Sequence, residues 1–260
     1  MPADSLAENH GQSFRHLPVQ GVSGANAGRI GPPAVPWSWG SKISEQLILE
    51  GLQSNKRLFV GSLLDLGCGM KPYQRMFGGA VDRWVGLDFA NTPSGRSAAN
   101  VFGSALEIPF GTARFDVVLS TQVLEHVPRP AELLREAQRV LRPGGYLVLT
   151  APQTNPLHEE PHDYFRYTCY GLRCLTEEAG LEVVEVRPLG GAIATVGQMI
   201  VWHLNWLRRI PWIGSTIAMW AQAGVAWSVL KADRFSLAYG GGAMKDTLNW
   251  LMIARKTEPC

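Results

Sequence analysis

The sequence of 260 residues is 46% apolar and has a formal net charge of only +2, values ordinary for a globular protein with one large or two small domains. The near balance of charges argues against a basic groove, so no nucleic-acid partner is predicted. Four cysteines without a C-x-x-C pair or a histidine cluster predict no metal site and no disulfide framework, and the lack of a signal-like first segment favours a cytoplasmic protein.

The first 36 residues are rich in Gly, Ala, Ser, Asn and Pro and have no hydrophobic periodicity. This composition predicts a mobile arm over residues 1–36, with the alternative that the arm becomes ordered as a lid over a bound ligand. The remaining residues, 37–260, are predicted to form one domain. It begins with a helix that Ser41 or Ser44 could cap and whose apolar stripe consists of Ile43, Leu47, Ile48 and Leu52.

A buried strand that ends in a glycine turn occupies residues 63–69. The apolar run of residues 63–66, interrupted only by Asp65, is typical of a parallel strand that is covered on both faces. Gly67 and Gly69 let the backbone turn sharply and let a ligand approach it without a Cβ in the way. A strand followed by such a turn, with a helix start behind it, is the general plan of a nucleotide site.

An acidic residue follows the next apolar run. Residues 84–87 form that run, and Asp88 lies 19 residues after Gly69, close to the spacing at which a βαβ unit presents an acid to a ribose. A carboxylate suits this task because it can accept hydrogen bonds from two neighbouring hydroxyls. The alternative is a surface aspartate that ends a strand, and the glycine turn before it favours the ribose role.

Strands and helices alternate along the rest of the chain, which predicts an α/β fold with a mostly parallel sheet and helices on both faces. Pro130 favours the start of a helix, and the run RPGG at residues 142–145 favours its end. A polar, aromatic loop at residues 152–167 follows the fifth strand. Further strands are predicted at residues 100–103, 115–120, 146–150, 181–186 and 248–254, and helices at residues 130–141 and 168–179.

Five short motifs resemble those of class I S-adenosylmethionine-dependent methyltransferases, in particular the bacterial type 11 subgroup. They are LDLGCG at residues 64–69, GLD at 86–88, FDVVLS at 115–120, VLEHV at 123–127 and VLRPGG at 140–145. The segment HEEPHDYFRYT at residues 158–168 is similar to a loop of many members of this subgroup. The resemblance covers residues 60–190 and implies a Rossmann-like, seven-stranded, mostly parallel sheet whose last strand is antiparallel and lies beside strand five.

The resemblance also implies S-adenosylmethionine as the cofactor. Asp65 stands two residues before the first glycine, where the family's acid faces the methionine amino group, and Pro72 replaces the third glycine of the nicotinamide fingerprint. By position, Asp88 takes the ribose diol, Phe89 lies against the adenine, and Ser104 stands beside the adenine edge, where many relatives have Asp. The implied cofactor residues are Asp65, Gly67, Cys68, Gly69, Asp88, Phe89, Ser104, Ala105, Leu106, Thr121 and Gln122.

Candidate catalytic residues lie after strand four and in the loop after strand five, because these strand ends face the donor methyl group in this fold. Methyl transfer is an in-line displacement in which alignment contributes much, and a hydroxyl acceptor also benefits from a base. His162 with Asp163 is the favoured pair, because a carboxylate beside an imidazole can orient it. His126 is the second candidate, and its alternative is a rim histidine bonded to the Glu125 segment or to backbone.

Further residues of the same loop are candidates for acceptor binding. Arg166 could hold an acidic group of the acceptor, or it could pair with Glu159 or Glu160. The aromatic side chains could form the wall of the acceptor pocket or anchor the loop. The predicted acceptor-binding residues are His158, Tyr164, Arg166 and Tyr167.

The segment at residues 190–245, between strands six and seven, is unusually apolar and holds five of the nine tryptophans. Arg208 and Arg209 interrupt two uncharged stretches, so a helical hairpin with a basic tip is predicted as an insert. Three alternatives are open for this insert. It could contact a membrane surface through residues 190–230, form a buried cap or a homodimer seam, or span a bilayer, the last disfavoured by its many polar residues.

The predicted function is methyl transfer from S-adenosylmethionine to a small-molecule or lipid-linked acceptor. The resemblance favours an oxygen acceptor in glycan, quinone or secondary-metabolite biosynthesis. Membrane contact of the insert would place the cytoplasmic protein at the inner face of the membrane. The alternative function is that of a non-catalytic protein that keeps the cofactor fold for binding or assembly.

Overall fold

The computed structural model describes residues 42–77, 79–90, 98–204, 214–238 and 245–258, so the arm predicted at residues 1–36 lies outside the described part. The strands are β1 Gly61–Leu66, β2 Val81–Asp88, β3 Val101–Phe102, β4 Phe115–Thr121, β5 Leu141–Pro152, β6 Glu182–Leu189 and β7 Asn249–Arg255. The helices are α1 Lys42–Ser54, α2 Gln74–Phe77, α3 Pro130–Val140, α4 Cys169–Glu178, α5 Ala192–Leu204 and α6 Gly214–Ala238.

The seven strands form one sheet in the order β3-β2-β1-β4-β5-β7-β6. The first five strands of this order pair in parallel, whereas β7 runs antiparallel between β5 and β6. The predicted Rossmann-like α/β sheet, with its last strand reversed beside strand five, is therefore confirmed. The carboxyl ends of β1, β2, β4 and β5 meet at one edge, which is where open α/β sheets bind their ligands.

Helices cover both faces of the sheet, as the alternation of elements predicts. Successive residues of β1 serve opposite faces, because Leu63 packs in an apolar cluster with α1 whereas Leu64 packs in one with α3 and α4. Residues of α5 and α6 belong to the same cluster as α1. The predicted apolar stripe of α1 is buried in full, at Ile43, Leu47, Ile48 and Leu52.

Strand β5 begins earlier than the sequence predicts. A turn is expected at residues 142–145, but Leu141 already pairs with Phe115 directly after α3. The pairing register with β4 then shifts between Phe115 and Val117, and Gly144 adopts a φ of +77°. Leu141 and Tyr146 pair with β4, and the RPGG run between them is an irregular part of the strand at the register shift.

The insert between β6 and β7 consists of the packed helices α5 and α6. The buried carboxylate of Asp233 in α6 caps the start of α5 by accepting a hydrogen bond from the backbone N–H of Ala194. The two helices approach closely at Gly197, where a Cβ would lie only 2.4 Å from Cγ2 of Val229. The predicted basic tip at residues 208–209 lies outside the described residues. Among the helices of the described ranges, none combines the length and the apolarity that a membrane crossing requires.

Candidate functional site

The glycine turn after β1 lies at the carboxyl edge of the sheet. Gly67 and Gly69 have positive φ angles, of +63° and +47°, which residues with a Cβ seldom adopt. A Cβ at Gly67 would also lie 2.4 Å from Cγ2 of Val123, which follows β4. At Gly69, by contrast, no atom of the described residues lies within 4 Å of the Cβ position. The turn therefore packs tightly on one side and leaves room for a ligand on the other.

Asp88, at the end of β2, holds the glycine turn in place. Its Oδ2 accepts a hydrogen bond of 2.9 Å from the backbone N–H of Gly69, and its Oδ1 accepts one of 2.8 Å from Phe89. The ring of Phe89 beside it is exposed. The spacing of 19 residues thus brings an acid and an aromatic face to the turn.

Asp65 contributes a second carboxylate, buried at the start of the turn. Its Oδ2 accepts a hydrogen bond of 3.1 Å from the indole nitrogen of Trp84. Burial raises the pKa of Asp65 to about 7, against the opposing effects of the Trp84 hydrogen bond and the nearby Lys71 ammonium. Tyr73 adds a hydroxyl here, since its side chain bonds Thr121 and its pKa is raised by burial. Sequence reasoning missed Trp84 and Tyr73, because neither belongs to a motif.

The segment after β3 lies beside Asp88, because the backbone N–H of Gly103 donates to the Asp88 carbonyl at 3.0 Å. Ser104 forms a local turn in which its Oγ accepts from the N–H of Leu106 at 3.1 Å, while Ala105 is buried. After β4, Gln122 has a positive φ of 54° and donates through Nε2 to the hydroxyl of Thr150. These implied cofactor positions, together with the buried Cys68, surround the same edge of the sheet.

The loop after β5 folds back onto a short 3-10 turn, Leu124–His126, that follows β4. The N–H groups of Tyr164 and Phe165 both donate to the carbonyl oxygen of Glu125, at 2.9 and 3.3 Å. The buried hydroxyl of Tyr167 donates to the carbonyl of Leu124 at 2.9 Å. Tyr167 therefore anchors the loop, which is one of the two roles expected for the aromatic side chains of this loop. The side chain of Tyr164, by contrast, is exposed.

Arg166 and Asp163 form the central ion pair of this loop. The guanidinium donates two hydrogen bonds to the carboxylate, at 2.6 and 2.7 Å, and further ones to the carbonyls of Asn155 and Pro156. The Asp163 side chain is only 1% exposed, and the Arg166 hydrogen bonds hold its pKa well below the usual range. Arg166 thus pairs with Asp163, and the expected pair with Glu159 or Glu160 is not formed. That Arg166 holds an acidic group of the acceptor stays a prediction.

The predicted pairing of His162 with Asp163 is also not formed. Oδ2 of Asp163 accepts from the backbone N–H of His158 at 3.0 Å and lies 3.3 Å from Nδ1 of the same residue. The exposed imidazole of His162 instead has its Nδ1 3.2 Å from the Tyr164 hydroxyl. Arg166 draws the carboxylate into the loop, so Asp163 orients a different histidine from the one next to it in sequence.

Three side chains with metal-binding chemistry meet where the loop contacts the 3-10 turn. Single ligand atoms of Glu125, His126 and His158 all lie within 4.8 Å of one another. The imidazoles of His126 and His158 pack edge to face at 4.7 Å, and Nδ1 of His126 donates to the His162 carbonyl at 2.8 Å. His126 thus has a backbone partner, as expected for the alternative in which it is a rim histidine and not a base.

Glu125 is the residue that sequence reasoning missed as a functional candidate. Its side chain is 0% exposed, and within the described ranges neither carboxylate oxygen has a hydrogen-bond partner in another residue. Its Oε1 lies 3.9 Å from Nε2 of His126. Burial raises its pKa to about 8. The sequence contains Glu125 within the VLEHV motif, but the motif alone does not indicate that the side chain is buried.

Comparison with known proteins agrees with this geometry. Residues 64–149 match the family described as methyltransferase domain. An uncharacterized methyltransferase of Mycobacterium leprae is 35% identical over 96 residues, which are 34% of this chain and only 36% of that protein's length. The chain thus matches about a third of this relative's length.

Two solved structures share the fold over most of the chain. A SAM dependent methyltransferase from Archaeoglobus fulgidus superposes with a TM-score of 0.53 at 18% identity, covering 84% of this chain and 98% of that one. The 4+2 cyclase SpnF superposes with a TM-score of 0.52 at 20% identity, covering 82% of each chain. At these identities the similarity concerns the fold alone.

The loop geometry predicts a large effect of Arg166→Gln on stability. This change leaves the buried Asp163 carboxylate without its main partner, so the free energy of unfolding should fall by about 2–4 kcal/mol in urea titrations. The matched control is Arg173→Gln, which removes an exposed ion pair with Glu177 and should cost less than about 1 kcal/mol. Equal losses in the two variants would contradict the role given to the Asp163–Arg166 pair.

Proposed function

We infer that this chain, a class I S-adenosylmethionine-dependent methyltransferase by fold and motif, binds S-adenosylmethionine at the carboxyl ends of β1 and β2 and transfers its methyl group to a small-molecule or lipid-linked acceptor. The observation that carries the proposal is the turn at Gly67 and Gly69, open on one side and flanked by the carboxylates of Asp65 and Asp88. S-adenosylmethionine supplies, when bound, a methyl group already activated on a sulfonium.

Each flanking residue suits one part of this donor. Burial raises the pKa of Asp65 to about 7, and a cationic amino group beside it would favour its ionised form. The carboxylate of Asp88 accepts hydrogen bonds, which suits ribose hydroxyls, and the exposed ring of Phe89 offers a face for the adenine. Ser104 already accepts a hydrogen bond from Leu106, so its hydroxyl proton is available to donate to an acceptor atom of the base.

The acceptor is proposed to bind between the 3-10 turn at residues 124–126 and the loop after β5. His162 and Tyr164 are the exposed polar side chains of this loop next to the anchored Tyr167. A hydroxyl acceptor must lose a proton on methylation, and the imidazole of His162 is the proposed base. Oxygen methylation in glycan, quinone or secondary-metabolite assembly is proposed on the resemblance of the motifs alone.

A lipid-linked acceptor is proposed because the insert presents large apolar side chains on its outer surface. Trp220 and Trp227 of α6 are 70% and 62% exposed, and Phe235 lies on the same helix. The ammonium of Lys231 lies 4.0 Å above the ring of Trp227. Exposed tryptophans next to basic groups are typical of a surface that lies in the headgroup region of a membrane. A homodimer seam is the alternative occupant of this surface.

A binding protein without methyl transfer is the second candidate function. The observation that favours it is that the 4+2 cyclase SpnF, named for a different reaction, shares this fold. A fold by itself therefore does not determine the chemistry of its site. Formation of S-adenosylhomocysteine in the presence of acceptors separates the two functions.

The donor assignment predicts that Asp88→Ala weakens the binding of S-adenosylhomocysteine, measured by isothermal titration calorimetry. Loss of charge-assisted hydrogen bonds and of the anchor for Gly69 should reduce the affinity by about tenfold or more. The matched control is Asp116→Ala at the opposite edge of the same sheet, where the carboxylate bonds Ser62 and Arg142. An unchanged affinity of the Asp88 variant would contradict the ribose assignment.

The base assignment predicts a separate effect of His162→Ala. With a panel of hydroxylated and lipid-linked acceptors, the wild-type protein should form S-adenosylhomocysteine, and the variant should do so about 10²-fold more slowly. Its affinity for S-adenosylhomocysteine should stay within about twofold of wild type, because His162 lies outside the glycine turn. Wild-type turnover in the variant would exclude His162 as the base, and an inert wild-type protein across the panel would favour the binding function.

The membrane assignment predicts that the protein floats with vesicles of phosphatidylcholine and phosphatidylglycerol. The double variant Trp220→Ser/Trp227→Ser should lower the partition coefficient of the protein between vesicles and solution at least about tenfold. The matched control is Tyr170→Ser, which removes an exposed aromatic ring from α4 on the other face of the sheet and should leave flotation unchanged. Protein that does not float, but whose sedimentation indicates a dimer that the double variant disrupts, would favour the homodimer seam.

A further inference from the structure

We propose that Glu125, His126 and His158 form a binding site for a divalent transition-metal cation such as Zn²⁺. One ligand atom of each residue lies within 4.8 Å of the others, although His126 and His158 are 32 residues apart. Two imidazoles and one carboxylate are the ligand set of many zinc and iron(II) sites. The proposal goes beyond methyl transfer, and it replaces the expectation from the sequence that the chain has no metal ligands.

The unpartnered carboxylate of Glu125 is the strongest support. Its side chain is fully buried, and neither of its oxygens has a hydrogen-bond partner among the other residues that the structure describes. Buried polar atoms are almost always paired in folded proteins, so each exception calls for an explanation. One of these oxygens lies 3.9 Å from Nε2 of His126, so it is directed at the histidines. A bound cation would provide the missing partner for this group.

The hydrogen bonds of His126 leave its Nε2 available, whereas Nε2 of His158 lies 3.5 Å from Nδ2 of Asn155, a weak contact that a bound cation would replace. Nδ1 of His126 donates to the carbonyl oxygen of His162 at 2.8 Å, which leaves Nε2 with a lone pair. Nδ1 of His158 lies 3.0 Å from the carbonyl oxygen of Pro156 and 3.3 Å from Oδ2 of Asp163. Metal-bound histidines almost always donate their other ring N–H to a carbonyl or a carboxylate. Both histidines therefore already have the outer partners of metal ligands.

The ligand atoms must move closer together to share one ion. Two ligands of one tetrahedral zinc ion, each about 2.1 Å from it, are about 3.4 Å apart. The 3.9 Å between Glu125 and His126 must therefore shorten by about half an ångström, and any pair at the full 4.8 Å by about 1.4 Å. Small rotations of the side chains supply this movement, while the Asp163–Arg166 pair holds the loop. The exposed Glu159 offers a further oxygen, 3.9 Å from Nε2 of His126. A cation can approach from this side, because His158 and Glu159 are partly exposed.

The proposed metal site adjoins the proposed donor site. Val123, against which Gly67 packs, precedes the 3-10 turn that contains Glu125 and His126. A cation here would lie on the side of the edge assigned to the acceptor, and a coordination position left to solvent could bind an acceptor oxygen. His126 would then serve as a ligand and not as a base. Metal binding itself does not require methyl transfer, so the two proposals can fail separately.

The test uses the full chain without a histidine tag, stripped of metal by a chelator and titrated with Co²⁺ and Zn²⁺. Visible absorption of Co²⁺ reports nitrogen and oxygen ligation, and calorimetry gives the stoichiometry and affinity for Zn²⁺. The variants are Glu125→Gln, which keeps the shape of the buried side chain, and His158→Gln. The matched control is His203→Gln, which removes a histidine of α5 that is bonded to Met199.

We expect wild type and His203→Gln to bind one Co²⁺ or Zn²⁺ with the same affinity and spectrum, and Mg²⁺ to compete poorly for a site with two imidazoles. Glu125→Gln and His158→Gln should lose more affinity than the roughly 10–100-fold that removal of an outer partner costs. Circular dichroism checks that these variants are folded, and an equivalent of Zn²⁺ should raise the melting temperature of wild type and of His203→Gln but not of Glu125→Gln or His158→Gln. Absence of a stoichiometric site in wild type, or equal binding in folded Glu125→Gln, would overturn the proposal.

Discussion

Two hydrogen bonds between the guanidinium of Arg166 and the buried carboxylate of Asp163 set the shape of the loop that completes the site. A buried ion pair is favourable only when its remaining polar atoms are also satisfied. Here the carboxylate also accepts from the N–H of His158, and the guanidinium also donates to loop carbonyls. The loop therefore holds a defined shape without helix or strand, and it can position His158 and the backbone N–H groups of Tyr164 and Phe165 that donate to the 3-10 turn.

The edge of the sheet has two halves that are built differently. The donor half consists of the glycine turn after β1 and the acid at the end of β2, and its shape comes from backbone conformation and one carboxylate. The acceptor half depends on contacts between segments that are distant in sequence, such as Tyr164 with Glu125. Val123 joins the halves, because it packs where a side chain at Gly67 would otherwise lie. The pairing of β4 with β1 and with β5 also fixes the relative position of the two halves.

The acceptor half is where the chemistry specific to this protein is expected. The fold is shared with a methyltransferase and with a cyclase, so the scaffold and the glycine turn do not determine which reaction occurs. Glu125 is unusual there, since a fully buried carboxylate without a partner destabilises the fold unless a proton or a cation neutralises it. Such a group does not stabilise the fold, and buried groups of this kind are typical of residues that act in binding or catalysis.

Local sequence determined the donor half and the order of the elements. The apolar run of β1, the glycines after it, the stripe of α1 and the Thr168 cap of α4 depend on periodicity and on neighbouring residues, so they can be predicted from the chain alone. Only the tertiary structure decided that Asp163 pairs with Arg166 and orients His158, and that Glu125 is buried beside two histidines. The physical reason is that side chains in an irregular loop have no fixed relative direction, and their partners are selected by packing between segments far apart in sequence.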